Sequence, residues 1–395
     1  MERVEARRRR AHAPEEPEKV PVRVMVIGVG NGGVNAVNRM AQFRLHGVQL
    51  VAVDTDAQVL ARSRAAQQIQ IGRELTEGRS TGGRPELGRK AAEGSREQLT
   101  DLMKNLDMVF LTTGLGGGTG TGAAPVIAEL ARAAKILTLA IVTLPFSFEG
   151  QARANRAAKG LENLKRNVDA LIVIPNDKLL SLSPGTPLTK AFEIADEVLL
   201  RGVQGITDLV TSPGMINLSL ADVDAVLRNA GPVMIGIGEA QGERRVREAL
   251  EQAATSPLLE RGTIYGASRV IINITGGPDL SLREVTDALS LVPKLTSTET
   301  DISFGTVIKE NMTGQVRITV IATGLRSEPA EEELLPYEEL PLTGTRPRRE
   351  PPRRPRERRE IKPEDLDIPA FLRRRRAMEE EEEEREGEEG VEPEE

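Results

Sequence analysis

Nine consecutive residues, Gly114-Leu115-Gly116-Gly117-Gly118-Thr119-Gly120-Thr121-Gly122, hold six glycines and two threonines. The chemistry such a run suits is phosphate binding. Glycines carry no Cβ, so backbone N–H groups can turn toward an anion and approach it closely. Thr119 and Thr121 add hydroxyl donors. An apolar run, Met108-Val109-Phe110-Leu111, leads in, and a helix-like run from Ala123 to Lys135 follows. A helix placed there would present unpaired N–H groups and the positive end of its dipole. No Lys follows the glycines, so this is not the GxxxxGK[ST] loop, and phosphate must be held mainly by backbone and a metal ion. The plain alternative is a tight strand-to-helix turn, which needs far fewer glycines.

A second unit of the same kind comes earlier. The strand-like Val22-Arg23-Val24-Met25-Val26-Ile27 runs into Gly28-Val29-Gly30-Asn31-Gly32-Gly33-Val34-Asn35, then a helix from Ala36 to about Phe43. Alone, this fits a GxGxxG dinucleotide fingerprint, and Asp54 or Asp56 after the strand Val48–Val53 would serve the ribose. The second glycine loop turns the reading away from a nicotinamide dinucleotide, whose site needs only one. Between the two lies a polar loop, Gly78 to Pro85, after Ile69-Gln70-Ile71-Gly72 and before a helical stretch, Glu86–Asn105. It reads equally as a flap over a terminal phosphate and as a surface connection.

The elements that would position these groups alternate. A strand at Leu137–Leu144 precedes Pro145-Phe146-Ser147-Phe148-Glu149-Gly150-Gln151-Ala152-Arg153, then a helix to about Asn167. A strand at Ala170–Ile174 ends in Pro175-Asn176-Asp177-Lys178. Alternating strands and helices predict a parallel, doubly wound α/β sheet. Ligands of such sheets sit beyond the strand C-termini, so both glycine loops, Asp54, Glu149 and Asn176 should line one rim. Leu188–Thr211 reads as one long helix with Phe192 and Asp196 on one face, four residues apart. An aromatic plate beside a carboxylate suits a purine, with Asp196 accepting from guanine N1–H and its exocyclic amine; a core Phe with a solvated Asp is the alternative. From Pro213 the pattern changes. A loop at Gly214–Val223 enters a helix, strands follow at Val233–Gly238, Arg269–Thr275 and Val316–Ala322, and helices lie near Glu243–Ala254 and Leu282–Leu291. Residues 215–325 read as a second α/β domain.

Length and composition bound the rest. At 395 residues the chain has room for two or three units. Aromatics are 2% with no Trp, so aliphatic side chains must make the core. The absence of Cys excludes disulfides, thiolate metal sites and a Cys nucleophile. With only His12 and His46, a His-based triad or zinc centre is not expected. No apolar run approaches the ~18 residues of a membrane span, and Met1 to Arg10 lacks the apolar stretch of a signal peptide, so a cytoplasmic protein is expected. The net charge of −7 sums opposed blocks. Residues 1–21, rich in Arg, Glu and Pro, read as a disordered arm, either solvated or touching nucleic acid or lipid. Residues 326–360 read as a disordered linker, 361–376 as a partner-binding peptide and 377–395 as an acidic tail. The Arg373–Arg376 run is either a lipid-attracting patch or a solvated flank.

Over about residues 22–325 the chain resembles FtsZ, the bacterial tubulin-like cell-division GTPase family. Gly116–Gly122 looks like the signature loop of that family. Asn217 with Ala221-Asp222 is similar to its catalytic loop, and Asp367-Ile368-Pro369-Ala370-Phe371-Leu372-Arg373 to its tail peptide. The resemblance implies a GTP-binding domain at 22–187, a central helix at 188–214 and a C-terminal catalytic-loop domain at 215–325. It implies Asn31, Gly32, Gly33, Val34 and Asn35 in the first nucleotide loop, with Asn35 near the base. Gly118, Thr119 and Gly120 would cradle phosphate, Glu149 and Arg153 lie near ribose and phosphates, and Asn176, Phe192 and Asp196 form the guanine pocket. It also implies Mg²⁺ held through the nucleotide phosphates, and GTP hydrolysis between head-to-tail subunits, with Asn217 and Asp222 acting on the neighbour's nucleotide. The implied setting is the division ring on the inner face of the membrane, with tethers such as FtsA, ZipA or SepF on Asp367–Arg373 and no nucleic acid. One departure stands out: the family usually carries Asn-x-Asp-Phe-Ala-Asp, and Ser219 takes the place of the first Asp. Hydrolysis slowed by that loss, or a GTP-binding scaffold with little hydrolysis, are the two outcomes it allows.

Overall fold

The computed structural model describes residues 22–43, 45, 47–178, 187–211, 214–216, 218–255, 264–296 and 300–324. The arm at 1–21, Asn217, the linker, the peptide Asp367–Arg373 and the acidic tail lie outside the described residues.

Among the described residues eleven strands form one sheet in the order β3-β2-β1-β4-β5-β6-β8-β11-β9-β10-β7. The first six are β1 (Val24–Val29), β2 (Val48–Asp54), β3 (Gln67–Gln70), β4 (Met108–Gly114), β5 (Leu137–Leu144) and β6 (Ala170–Pro175), all parallel to their neighbours. Their side chains alternate between two cores, as the two-residue repeat of a strand requires. Val24 and Val26 of β1 pack on one face with α1 (Gly30–Gln42). Met25, Ile27 and Val29 pack on the other with α2 (Pro85–Gly94) and α3 (Thr119–Ala133). Further on, α4 (Gln151–Lys165) joins the second face, while the central helix α5 (Leu188–Thr211) lays Val198, Leu199 and Val203 on the first. The chain runs outward from β1 to β3, then returns to place β4 on the other side of β1. A crevice opens beyond the strand ends at such a switch point. The two glycine loops follow β1 and β4, the strands that flank it.

The remaining strands are β7 (Gly214–Ile216), β8 (Gly231–Gln241), β9 (Arg269–Gly276), β10 (Asp301–Ile308) and β11 (Gln315–Thr323). β11 pairs antiparallel with β8 and β9. A third core of Val270, Ile272, Ile318 and Val320 lies under α7 (Arg245–Ala254) and α8 (Leu282–Leu289), numbered after α6 (Leu220–Leu227). The nucleotide-side strands meet this half through β6 and β8, which pair only at Ala170 with Gly231 and Leu171 with Pro232.

Several boundaries differ from expectation. The first helix starts at Gly30 rather than Ala36, and the third at Thr119 rather than Ala123. Glycine in a helix costs about 1 kcal/mol relative to Ala, but backbone packing overrides it here. The Glu86–Asn105 stretch breaks at Ser95 into Pro85–Gly94 and Arg96–Leu102. Strands β3, β7 and β10 were not anticipated: β3 is a polar edge strand, β7 is three residues long, and Gly305 interrupts the apolar pattern of β10.

Two glycines test this packing. A Cβ on Gly33 would lie well inside contact distance of the Thr112 carbonyl and of the Gly28 backbone, neither able to move away, whereas one on Gly94 meets nothing within 4 Å. Urea unfolding should show Gly33→Ala losing about 2 kcal/mol or more. Gly94→Ala should gain about 0.5–1 kcal/mol from helix propensity.

Candidate functional site

The crevice at the switch point is a cavity of about 550 Å³, within the usual range of small-molecule sites. Its floor is the meeting of two helix N-termini. The N-caps of α1 and α3 are Val29 and Gly118, and neither supplies a side-chain hydrogen bond. The leading N–H groups and both dipoles are therefore available to an anion. The loops interlock backbone to backbone: a Cβ on Gly30 would sit 2.7 Å from the Gly120 nitrogen, and one on Gly32 3.1 Å from the Gly114 nitrogen. Gly116 adopts φ of 101° under Arg153, whose Cγ would lie 2.7 Å from an added Cβ. The Thr119 hydroxyl lines the cavity, 3.1 Å from Thr55 Oγ1 and 3.4 Å from Thr81 Oγ1. Thr121, expected as a donor to the ligand, instead accepts the Gly116 N–H at 2.9 Å and locks the loop.

Charged groups ring this floor. Asp54, 2% exposed, accepts the amides of Thr55 at 2.6 Å and Asp56 at 3.1 Å. Burial, the largest influence, raises its pKa above the ordinary carboxylate value. Glu149 accepts the Phe146 amide at 2.9 Å and pairs with Arg153 at 2.9 Å. Ser80, Thr81, Gly82 and Gly83 line the cavity, so the polar loop at Gly78–Pro85 is part of its wall. Arg156 also lines it and donates to the Gly116 carbonyl at 2.9 Å. Sequence reasoning passed over Arg156, although its spacing of three from Arg153 put both on one helix face.

The far end is built for a flat polar ring. Phe192 is 42% exposed, and its edge meets the Phe146 ring with centroids 5.2 Å apart. Phe148 stacks on Phe146 at 5.0 Å. Asn176 lines the wall at 5% exposure, and among the described residues its Oδ1 has no hydrogen-bond partner. A buried acceptor left unpaired is costly unless a ligand donates to it. Asp196 lines the same wall. Burial pushes its pKa up to about 7; Arg39 opposes the shift and Glu193 adds to it. Of the expected binding residues, Asn31, Gly32, Asn35, Gly118, Thr119, Gly120, Glu149, Arg153, Asn176, Phe192 and Asp196 line the cavity. Gly33 and Val34 do not: Val34 belongs to the core, and Gly33 packs against Thr112 behind the wall.

Asp222 does not line the cavity. It is exposed in the first turn of α6, where Ser219 is the N-cap. The Ser219 hydroxyl and amide donate to Asp222 Oδ2 at 2.6 and 2.8 Å, and the Asp222 amide donates back to Ser219 Oγ at 3.2 Å. This is a reciprocal capping box. The Ser219 hydroxyl bond is the main reason the Asp222 carboxyl lies below its ordinary pKa.

Residues 23–184 match the Tubulin/FtsZ family GTPase domain, and residues 231–326 match the FtsZ family C-terminal domain. Among solved structures, an empty FtsZ dimer of M. jannaschii is 41% identical, covers 82% of this chain and 93% of that one, and superposes with a TM-score of 0.74. A mutant FtsZ of M. jannaschii is also 41% identical, over 82% of this chain and 94% of that one, with a TM-score of 0.73. CetZ1 of Haloferax volcanii in a GDP-bound form shares the fold at 21% identity, over 78% of this chain and 96% of that one, with a TM-score of 0.69. With both family domains matched, and 41% identity over nearly the whole of a solved FtsZ, the chain belongs to the FtsZ family of tubulin-like GTPases.

Proposed function

We propose that this chain is a GTP-dependent filament former that hydrolyses GTP at the contact between successive subunits. The observation that supports this is a division of parts. The cavity carries the groups that suit base, ribose and phosphate, whereas Asp222 sits on a separate helix and does not line it. A contact that brings Asp222 of one subunit to the cavity of the next joins two different surfaces. It is head to tail and generates open filaments. In this reading Asn31, Gly32, Gly118, Thr119 and Gly120 hold phosphate, with Gly33 and Val34 backing the loop. Glu149 and Arg153 serve ribose and phosphates. Asn35, Asn176, Phe192 and Asp196 recognise guanine. Asp222 positions the attacking water, and Asn217 helps to order it. The domain limits follow the same division: 22–187 binds GTP, 188–214 is the central helix and 215–325 carries the catalytic loop.

Among the described residues no three His, Cys, Asp or Glu side chains converge on a metal cage. The glycine floor offers donors for phosphate rather than ligands for a cation. In this reading Mg²⁺ would be held through the phosphate oxygens, where it would offset the charge of phosphoryl transfer. Division-ring assembly on the inner face of the membrane, tethered through Asp367–Arg373 to proteins such as FtsA, ZipA or SepF, completes the reading. Among the described residues no helix is long and apolar enough to cross a membrane, so attachment would run through such a tether.

One observation favours a scaffold with little hydrolysis: the Ser219 hydroxyl, at the position where the family resemblance implies an acid, donates to Asp222 Oδ2. Phosphate release with GTP and Mg²⁺ across protein concentrations, read beside sedimentation, separates the readings. The filament GTPase shows turnover per subunit rising above a threshold concentration. Asp222→Asn then lowers it about 100-fold, the low end of general-base catalysis, while polymer still pellets. The scaffold pellets without turnover in the unmodified chain.

A second expectation concerns pH. The ionised Asp196 accepts the guanine N–H donors, and its pKa without ligand is about 7. Affinity for GTP should be level above that pH and fall as pH drops below it, by up to about tenfold per unit. Asp196→Asn should lose about 10- to 100-fold in affinity, as expected for a charge-assisted hydrogen bond. The part of the pH dependence due to this carboxyl should vanish with it. Titration with a fluorescent GTP analogue between pH 5.5 and 8.5 reads both.

A further inference from the structure

The buried carboxylate of Asp169 stands outside the cavity, and nothing in the proposed reaction uses it. Asp169 precedes β6 and is 3% exposed. Its Oδ2 accepts the Thr138 amide of β5 at 2.9 Å and Arg228 Nη1 at 3.3 Å, and its Oδ1 accepts the Asn229 amide at 3.4 Å. Its backbone carbonyl accepts Gly231 N–H at 2.9 Å, at the first residue of β8. Arg228 is the C-cap of α6 and also pairs with Asp224, one turn back on that helix. Through its carboxylate and its main-chain carbonyl, this one residue ties together β5, β6, the start of β8 and the end of the helix whose first turn carries Asp222.

This is the place where the two halves of the sheet meet through only two residue pairs. The rest of the contact between the halves is largely apolar, a core continuous from β1 through the central helix to Ile235, Ile271 and Ile321. The α6 helix is eight residues long, held from below by Val223, Val226 and Leu227. Apolar contacts are non-directional. The guanidinium fork supplies the orientation, because it holds Asp169 and Asp224 at once in a fixed plane. The left-handed Asn229, at φ 53°, turns the chain at this point so that its amide reaches Asp169.

We propose that Asp169 and Arg228 are a positioning pair: they set the orientation of the Asp222-bearing helix on the nucleotide-binding sheet, and so govern hydrolysis in the neighbouring subunit without touching nucleotide. The proposal rests on the reading of Asp222 given above. Misplacement of a catalytic group by about 1 Å can cost roughly 10²-fold in rate. Neither residue lines the cavity, so nucleotide affinity should not follow the rate.

The test uses the full chain. In Arg228→Met, turnover per subunit above the assembly threshold should fall at least tenfold, while fluorescent-GTP affinity stays within twofold and polymer still sediments. Arg228→Lys keeps the charge but loses the fork, and should fall between the two; it also serves if the Met variant does not fold. Turnover within twofold of the unmodified chain in the folded Arg228 variant, with Asp222→Asn inactive, overturns the positioning role alone. Equal loss of affinity and turnover overturns it too, since that marks a general structural role. If Asp222→Asn is itself fully active, the reading of Asp222 fails and this proposal with it.

Discussion

The close approach of two backbones governs this structure. The loops after β1 and β4 meet with glycine against glycine, and the leading N–H groups of two helices emerge side by side only because nothing larger intervenes. Everything charged around them is arranged at second hand: Asp54 by the Thr55 and Asp56 amides, Arg153 by Glu149, and Arg156 by the Gly116 carbonyl. A Cβ in this contact displaces main chain rather than a side chain. The surrounding residues can be exchanged while those glycines cannot.

The electrostatics of the two ends differ accordingly. Toward the glycine floor the field combines peptide dipoles, which do not titrate, with the charged side chains of Asp54, Glu149, Arg153 and Arg156 around them. At the base end it comes from side chains that do titrate. Burial holds Asp196 near neutrality, and Asn176 keeps an unpaired acceptor. In the proposed reading one end, with two helix N-termini facing it, suits phosphate. In the same reading the other would discriminate between bases by where their donors fall.

Much of this was legible in the chain. Each glycine run stood between an apolar strand and a helical repeat, and the long helix Leu188–Thr211 was evident from its period, as were Phe192 and Asp196 on one face. Tertiary contact was not. The helices begin inside the glycine runs because Gly30 packs on Gly120, a pairing of residues ninety positions apart that no local propensity encodes. Gly33 and Val34 belong to the right loop but point behind the wall. The polar edge strand β3 and the Gly-interrupted β10 carry too little apolar alternation to announce themselves. Ser219 read as a lost acid; in three dimensions it is the N-cap of its helix, and the bond it makes to Asp222 was hidden in the linear pattern.

The unpaired Asn176 carbonyl and the desolvated Asp196 also bear on the life of the chain when no filament is forming. Both are burdens that an empty pocket carries and that, in the proposed reading, a guanine ring would relieve. Any ligand that binds the folded form alone adds RT ln(1 + [L]/Kd) to its stability. The supply of guanine nucleotide is thus a determinant of how much folded protein persists. On the proposed reading, scarcity of GTP would lower the folded fraction and so open the chain to proteolysis, coupling abundance of the subunit to the nucleotide it binds.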